Sequence, residues 1–406
     1  MASRGMRHAG MGEVNEYLVL EYLRGHRPTT RPQVAAELGL SQASVSRIVA
    51  KLLARGLVVE SPGKSVAGGR PRTLLDLNPG AGSVVGIDLG GTRCHGVLAD
   101  LHGGVLDEAE LALDEARNAY DALARVWKKL AAAAKRRGLA LGALAVGVPA
   151  VIEPETGLAV RGPNVGWEGF NLVERVRAFG LPFIVDNDVN LAASAEGRLG
   201  EARGVRDFAV LSIGTGLGGA VVADGRLVRG RHNAAGELAA LLPRLSMVRD
   251  RRIGGLGAME TILSAPAIAA RALALVASDP RAREELGARP SARRVIERAL
   301  AGGIAARQIV AELVEAVALT VVALSAVVDP EVIVFDGSIG RALAPFLPRV
   351  AEFVALHIAT PPRLAVSTLG PNATVQGAIV AALQLRHDHA MPLALTQLIA
   401  ETGESA

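Results

Sequence analysis

Two glycine-rich turns limit what this chain can fold into more than any other feature. The first is Asp88, Leu89, Gly90, Gly91 and Thr92; the second runs from Gly214 through Thr215, Gly216 and Leu217 to Gly218 and Gly219. Each follows an apolar stretch of strand length, Ser83 to Asp88 and Phe208 to Ile213, and each leads into another, Cys94 to Ala99 and Ala220 to Ala223. A chain reversing through consecutive glycines turns backbone N–H groups outward and lets an anion approach closely. Thr92 adds a hydroxyl donor, and Asp88 stands where a carboxylate holds a hydrated magnesium ion beside phosphates. One such turn reads equally well as a polar hairpin. Its repetition, strand for strand, points instead to a duplicated α/β body with two phosphate cradles.

The upstream segment has a different chemistry. Residues 1–80 hold 11 Lys and Arg against 6 acids, whereas the remaining 33 basic and 34 acidic residues nearly cancel, so the positive excess is confined to the first fifth. Clustered basic charge is the electrostatic footprint of a nucleic-acid-binding segment. Val14, Leu18 and Tyr22 recur at helical spacing, and a second helix is expected from Arg31 to Leu38 behind Thr29 and Thr30. Gly39 to Ser41 makes a tight turn, and Ser41 caps a third helix with Val45, Ile48, Val49 and Leu52 inward. Gln42, Ser44, Ser46, Arg47 and Lys51 then face outward, a set suited to base edges and phosphates. Gly56 to Glu60 begins a strand, and Ser61 to Arg72 reads as a wing whose Arg70 and Arg72, flanking Pro71, fit a minor groove. The plainer alternative is a small helical interaction domain with a solvated arginine face. Turn, cap, helix polarity and wing together favour a DNA-binding winged helix, with Asn78 to Gly82 as linker.

Between the glycine turns, a helix is expected from about Ala119 to Arg137, a strand from Leu144 to Val148, and another from Phe183 to Val185. The second strand runs into Asp186, Asn187 and Asp188, with Glu196 on the helix that follows. A carboxylate at a strand end beside a helix N-terminus can take the proton of an attacking hydroxyl, and Asn187 can hold a neighbouring one. Alternatively Asp186 or Asp188 only caps the helix. Cys94, the one cysteine, excludes an intramolecular disulfide and any site of several thiolates, and fits a reducing cytoplasm. Cys94 and His95, adjacent on a strand, point to opposite faces and read as packing rather than as nucleophile and base. Ile309 to Val328 is interrupted by Glu312 and Glu315 and stopped by Pro330, which reads as a buried helix and not a membrane span. Glu312 and Glu315 are expected on one side of it, at a subunit interface. His387 and His389 lack a third ligand nearby and read as a solvated helix end.

The winged helix, the Asp88 turn, Pro163 and Asn164 with Trp167, Asn187 and Asp188, the second glycine turn, Asp224 with Gly225, and Ala235, Gly236 and Glu237 follow one another in a familiar order. In this the chain resembles the repressor, open reading frame and kinase (ROK) family over nearly its whole length. The resemblance implies an α/β fold class: an N-terminal winged helix-turn-helix followed by a two-lobed sugar-kinase body of the hexokinase and actin (ribonuclease H-like) type. It implies Asp188 as general base if the site is active, and Asn164, Asn187, Asp188, Glu237 and Glu260 as sugar partners. Asp88, Gly90, Gly91 and Thr92, with Gly214, Thr215 and Gly216, would surround nucleotide phosphates. Family members bind one zinc through a histidine after Ala-Gly-Glu and a cysteine-rich stretch ending in Glu. Here Ala240 replaces the histidine, and Arg251, Ile253 and Ala258 replace the cysteines, so no structural zinc is expected. Ile253, Leu256 and Met259 are expected to pack in its place, and Asp336, where consecutive glycines usually meet adenine, to crowd a nucleotide.

These features lead to a division at 1–80 for the winged helix, 81–197 for a small lobe completed by a C-terminal helix within 386–406, near Pro392 to Glu401, and 198–385 for a large lobe. The expected function is a cytoplasmic DNA-binding regulator, a repressor, released from its operator by a sugar in a non-catalytic cleft. A sugar kinase that also binds DNA is the alternative, and Mg-ATP belongs to that reading alone. At least a homodimer is expected, because DNA half-sites come in pairs, and no membrane.

Overall fold

The computed structural model describes residues 2–63, 72–161, 171–249 and 257–389. Helices α1 (Ala2–Gly25), α2 (Arg31–Leu38) and α3 (Gln42–Ala54) are followed by an antiparallel pair, β1 (Val58–Pro62) and β2 (Thr73–Leu77). Thr30 and Gln33 form a capping box at the start of α2, and Ser41 Oγ accepts from Ser44 N (3.1 Å) at the start of α3. The expected stripe of α3 is inward: Val45, Val49 and Leu52 are fully buried, and Ile48 packs beside them. On α1, however, the buried positions are Val19 and Leu23, while Val14, Leu18 and Tyr22 are half-buried. Helix α1 carries apolar side chains on more than one flank, and spacing alone does not say which flank meets α2 and α3. The β1–β2 pair is the expected wing; its tip, with Arg70, lies outside the described residues.

The small lobe begins with β3 (Ser83–Leu89), β4 (Arg93–Asp100) and β5 (Val105–Ala112), then α4 (Ala119–Arg136), β6 (Leu141–Val148) and a small hairpin of β7 (Val151–Ile152) and β8 (Ala159–Arg161). Helix α5 (Leu172–Arg177), β9 (Phe183–Asn187) and α6 (Asp188–Leu199) follow. Its sheet has the order β5-β4-β3-β6-β9, antiparallel through β3 and parallel from β3 to β9. The large lobe repeats the plan with β10 (Phe208–Ile213), β11 (Leu217–Ala223) and β12 (Arg226–Leu227). Helices α7 (Glu260–Leu263), α8 (Ala265–Ser278), α9 (Pro280–Leu286), α10 (Ala292–Leu300) and α11 (Ile304–Val328) come next, followed by β13 (Val332–Asp336), α12 (Gly337–Ala342), α13 (Leu347–Ala355) and β14 (Arg363–Val366). Its sheet order is β12-β11-β10-β13-β14, with the same pattern of directions. The duplication inferred from the glycine turns is therefore a duplication of whole sheets.

Helix α11 is long and apolar enough to cross a membrane, yet its inner face, from Ala305 to Leu324, is part of the large-lobe core around Phe335. Glu312 is outward and pairs with Arg271 (2.9 Å), and Glu315 is exposed. The last described helix, α14 (Ala373–His389), departs from the expected division at 385. Its Val375, Ala378, Ile379 and Ala382 bury themselves with Val84, Val97, Ala99, Ala143, Ala145 and Leu191, all residues of the small lobe. The chain thus returns to the small lobe at residue 373, because the apolar face of this helix matches the uncovered face of the first sheet. The expected helix from Pro392 to Glu401 lies outside the described residues.

Candidate functional site

The surface expected to face DNA comprises α3 and the described part of the wing. Gln42, Ser46 and Arg47 are exposed, as is Arg72 at the foot of β2. Ser44 is half-buried, with its hydroxyl accepting from the Ser41 hydroxyl (2.9 Å), so it serves the cap as well as the surface. Lys51 is drawn back to Glu16 of α1, which also accepts from Arg55 Nη1 (3.0 Å).

Between the lobes lies a cavity of about 150 Å³, room for a small molecule rather than a lone water. Asn187 and Asp188 enter it from the small lobe; Gly214, Thr215, Gly216, Glu237 and Glu260 enter it from the large lobe. Strand β9 ends where α6 begins, and that junction delivers Asp188. The cap of α6 is Asn187, whose Oδ1 accepts from Val189 N (2.9 Å), an N–H that Asp188 Oδ1 also meets at 2.9 Å, while Asp186 Oδ1 accepts from Asn187 N (2.8 Å). Gly236, at φ +86°, lies against the second glycine turn: a Cβ there would fall 2.1 Å from the Gly219 carbonyl oxygen. Only two facing glycines let the Glu237 loop come so near to β11. Glu260 Oε1 accepts from Leu217 N (3.3 Å) and Oε2 from Gly257 N (3.4 Å), which fixes its carboxylate at the cavity wall. Asn164 lies outside the described residues. The first glycine turn, with Gly91 and Thr92 exposed, does not line this cavity, although Asp88 is close enough to affect Asp188.

The charges are arranged against one another. Burial, reinforced by Asp88, raises the Asp188 carboxyl from its ordinary 3.8 to about 7. Burial likewise raises Asp88 to about 6, opposed by Arg93 and helped by Asp336. Asp336 is itself raised by burial, and its Oδ1 accepts from Arg341 Nη1 at 2.5 Å. A carboxyl poised near neutrality can exchange a proton with a bound hydroxyl. Cys94 is buried, its thiol pushed up to about 12 by burial and then by Asp88, while His95 turns to Glu108 (3.3 Å); the pair is no nucleophile and base.

Ala240 has no metal donor in its side chain, and a Cβ on Gly257 would fall 2.0 Å from the Ala239 carbonyl oxygen, so these two loops abut directly. Met259 is fully buried beside them; Ile253 and Leu256 lie outside the described residues.

A second set of groups is not visible in the sequence. Asp186, buried, accepts from Arg229 Nη1 (2.7 Å) across the lobes and from Asn190 Nδ2 (2.9 Å) within α6. Beyond it, Arg231 pairs with Glu155 (3.1 Å), His232 meets Glu153 (3.4 Å), and Asn233 Nδ2 donates to the Ile152 carbonyl (3.0 Å). The loop from Arg229 to Asn233 thereby clasps the small-lobe hairpin. The only signal in the sequence is the density of polar residues before Ala235, which also suits an exposed turn. His387 is not the solvated helix end that its surroundings in sequence suggest: its side chain is largely covered by Tyr17 and Glu21 of α1.

Comparison with known proteins agrees with this architecture. The family model described as the ROK family matches residues 84–385, and that of the MarR family matches residues 11–65. The chain is 29% identical over 361 residues to a xylose repressor of Caldicellulosiruptor bescii, covering 86% of this chain and 88% of the repressor. It is 28% identical over 306 residues to a glucokinase of Halalkalibacterium halodurans, covering 72% of this chain and 92% of that enzyme. The crystal structure of a ROK family transcriptional regulator, a homologue of the Escherichia coli MLC protein, superposes with a TM-score of 0.76 at 24% identity. It covers 96% of this chain and 100% of that one. A winged helix of the MarR kind, two sheets of one topology and a cavity between them lead to one assignment: the chain belongs to the ROK family.

Proposed function

We propose that this protein is a sugar-responsive, DNA-binding transcriptional repressor of the cytoplasm, acting as at least a homodimer, whose interlobe cavity binds a sugar without transferring phosphate. The observation that carries the reading is one cavity lined by Asp188 from the small lobe and by Glu237 and Glu260 from the large lobe, in a chain that begins with a winged helix. A sugar held by all three draws the lobes together. Moving a two-state protein from mostly bound to mostly released takes roughly 5.5 kcal/mol of differential affinity. Hydrogen bonds to charged groups contribute about 1.5–3 kcal/mol each, so two to four suffice. The likeness to a xylose repressor supports this reading. The lack of donors at Ala240 supports a body that dispenses with zinc.

The wing and α3 supply the DNA contact. Arg72→Ala is expected to weaken operator binding roughly threefold to tenfold and to lower the slope of log K against log salt by about 1. A gel shift across a salt series checks this, and an unchanged slope removes Arg72 from the interface. Calorimetric titration with a panel of xylose, glucose and N-acetylated hexosamines tests the cavity; no heat with any of them sinks the sugar reading.

A sugar kinase that also binds DNA is the second reading, favoured by Gly214 to Gly216 lining the same cavity as Asp188. Against it stand Asp336 and the first glycine turn, which lies off the cavity. Incubation with ATP, magnesium and the same panel is expected to release no sustained ADP. Sustained release that disappears in Asp188→Asn makes the chain an enzyme.

A further inference from the structure

Helix α14 touches what a ligand-controlled DNA reader must connect. Near its start Thr374 Oγ1 donates to the Asp188 carbonyl (3.4 Å), and a Cβ on Gly377 would fall 1.8 Å from the Leu191 carbonyl oxygen, so α14 lies directly against α6. About 20 Å further along, at 1.5 Å per residue, the same helix reaches α1. Gln384 Oε1 accepts from Arg24 Nη1 (2.6 Å), the His387 ring lies tilted by 33° against Tyr17 with centroids 4.7 Å apart, and its Nε2 meets the Glu21 carboxylate. Arg386 lies over the linker, its guanidinium occupying the space a Cβ on Gly82 would need and its Nη2 donating to the Ala81 carbonyl (3.4 Å). Tyr17, Glu21 and Arg24 belong to no part of the winged-helix core. They occupy the side of α1 away from Val19 and Leu23, spaced one turn apart.

The two ends of α14 differ in kind. Its seam with α6 and the first sheet is buried and close-packed, with no room for sliding. Among the described residues, its contact with α1 is one tilted ring pair, one imidazole–carboxylate contact and one hydrogen bond, a set of side-chain contacts that opens more readily than a close-packed seam. The winged helix also touches the small lobe where His102 Nε2 lies 2.9 Å from the Leu77 carbonyl and 3.4 Å from Asp76. That turn follows β4 at the end of the sheet away from Asp88, so it does not report on the cavity.

We propose that α14 is the relay of this regulator: displacement of α6 when a sugar engages Asp188 is carried rigidly to Gln384 and His387, and their contact with Tyr17, Glu21 and Arg24 sets the presentation of α3 to DNA. The relay rests on the sugar-responsive reading above. The test uses the full chain, a duplex that the protein itself selects from random sequence, and D-xylose, D-glucose and N-acetyl-D-glucosamine as probes. Anisotropy titrations give the ratio of DNA dissociation constants with and without each sugar, for the parent and for His387→Ala, Glu21→Gln and Gln384→Ala. The parent ratio is expected to be about tenfold or more, and to fall at least about fivefold in His387→Ala and Glu21→Gln, while calorimetry still detects sugar binding in each. Glu21→Gln and Gln384→Ala change partly exposed side chains, so the comparison survives a poorly folded His387→Ala. A parent ratio retained in all three variants overturns the relay alone. A parent ratio of one with every sugar removes the regulator reading and the relay together.

Discussion

Asp188→Asn is expected to melt about 3 °C or more above the parent chain near pH 8, and to bind sugar about tenfold to a hundredfold more weakly. The stability gain follows from the raised carboxyl. The folded chain holds a proton on Asp188 up to about pH 7, whereas the unfolded chain releases it near 3.8. Between those values the native state binds more protons, so native stability falls as pH rises through that window, and above it the full cost of a buried anion is present. Asparagine carries no such charge. A tenfold change in proton affinity corresponds to about 1.36 kcal/mol, and the partial exposure of Asp188 reduces the whole penalty to an order of 1–3 kcal/mol. Thermal melts at pH 4, 6 and 8 decide the matter: the gap between variant and parent is expected to open with rising pH. Parallel curves would mean that Asp188 is solvated, and its place in the cavity would have to be abandoned.

Gly377→Ala is expected to destabilise the two-lobed body by about 3 kcal/mol or more, although alanine is favoured over glycine by about 1 kcal/mol in a helix interior. The conflict of signs makes the experiment informative. The new Cβ would lie 1.8 Å from the Leu191 carbonyl oxygen and 2.4 Å from its carbon. Both atoms are backbone within α6, so neither can rotate away, and the two helices must separate. Urea unfolding followed by circular dichroism gives the difference. A variant as stable as the parent would show that the helices are not in contact at this crossing.

The legible part of the fold was the part that repeats or carries a cap. The glycine turns revealed two sheets because strand, reversal and strand are local, and Thr30, Gln33 and Ser41 marked helix starts that depend on neighbours three residues away. The two apolar flanks of α1 were illegible for the opposite reason: one meets the winged-helix core, the other holds Tyr17 against His387, a residue at the far end of the chain. The capping role is also shared in a way local pattern did not show. Asn187 and Asp188 both accept from the Val189 N–H of α6, while Arg229, reaching across from the other lobe, holds Asp186 apart from it. That Asp188, Glu237 and Glu260 meet at one cavity was legible by resemblance and by order, whereas the clasp of Arg229 to Asn233 on the hairpin is a contact between lobes, which local pattern does not encode.

Because the described chain enters the body at the smaller half and returns to it in α14, the larger half is joined to it along the chain at two crossings, 200–207 and 367–372, as a door hangs on a pair of pins. Near them Arg363 donates to the Glu201 carbonyl (2.8 Å) and Arg341 to the Gly370 carbonyl (3.1 Å), so the pins themselves are braced. The DNA reader is mounted on the frame and not on the door, and a swing reaches it only as recoil through the frame.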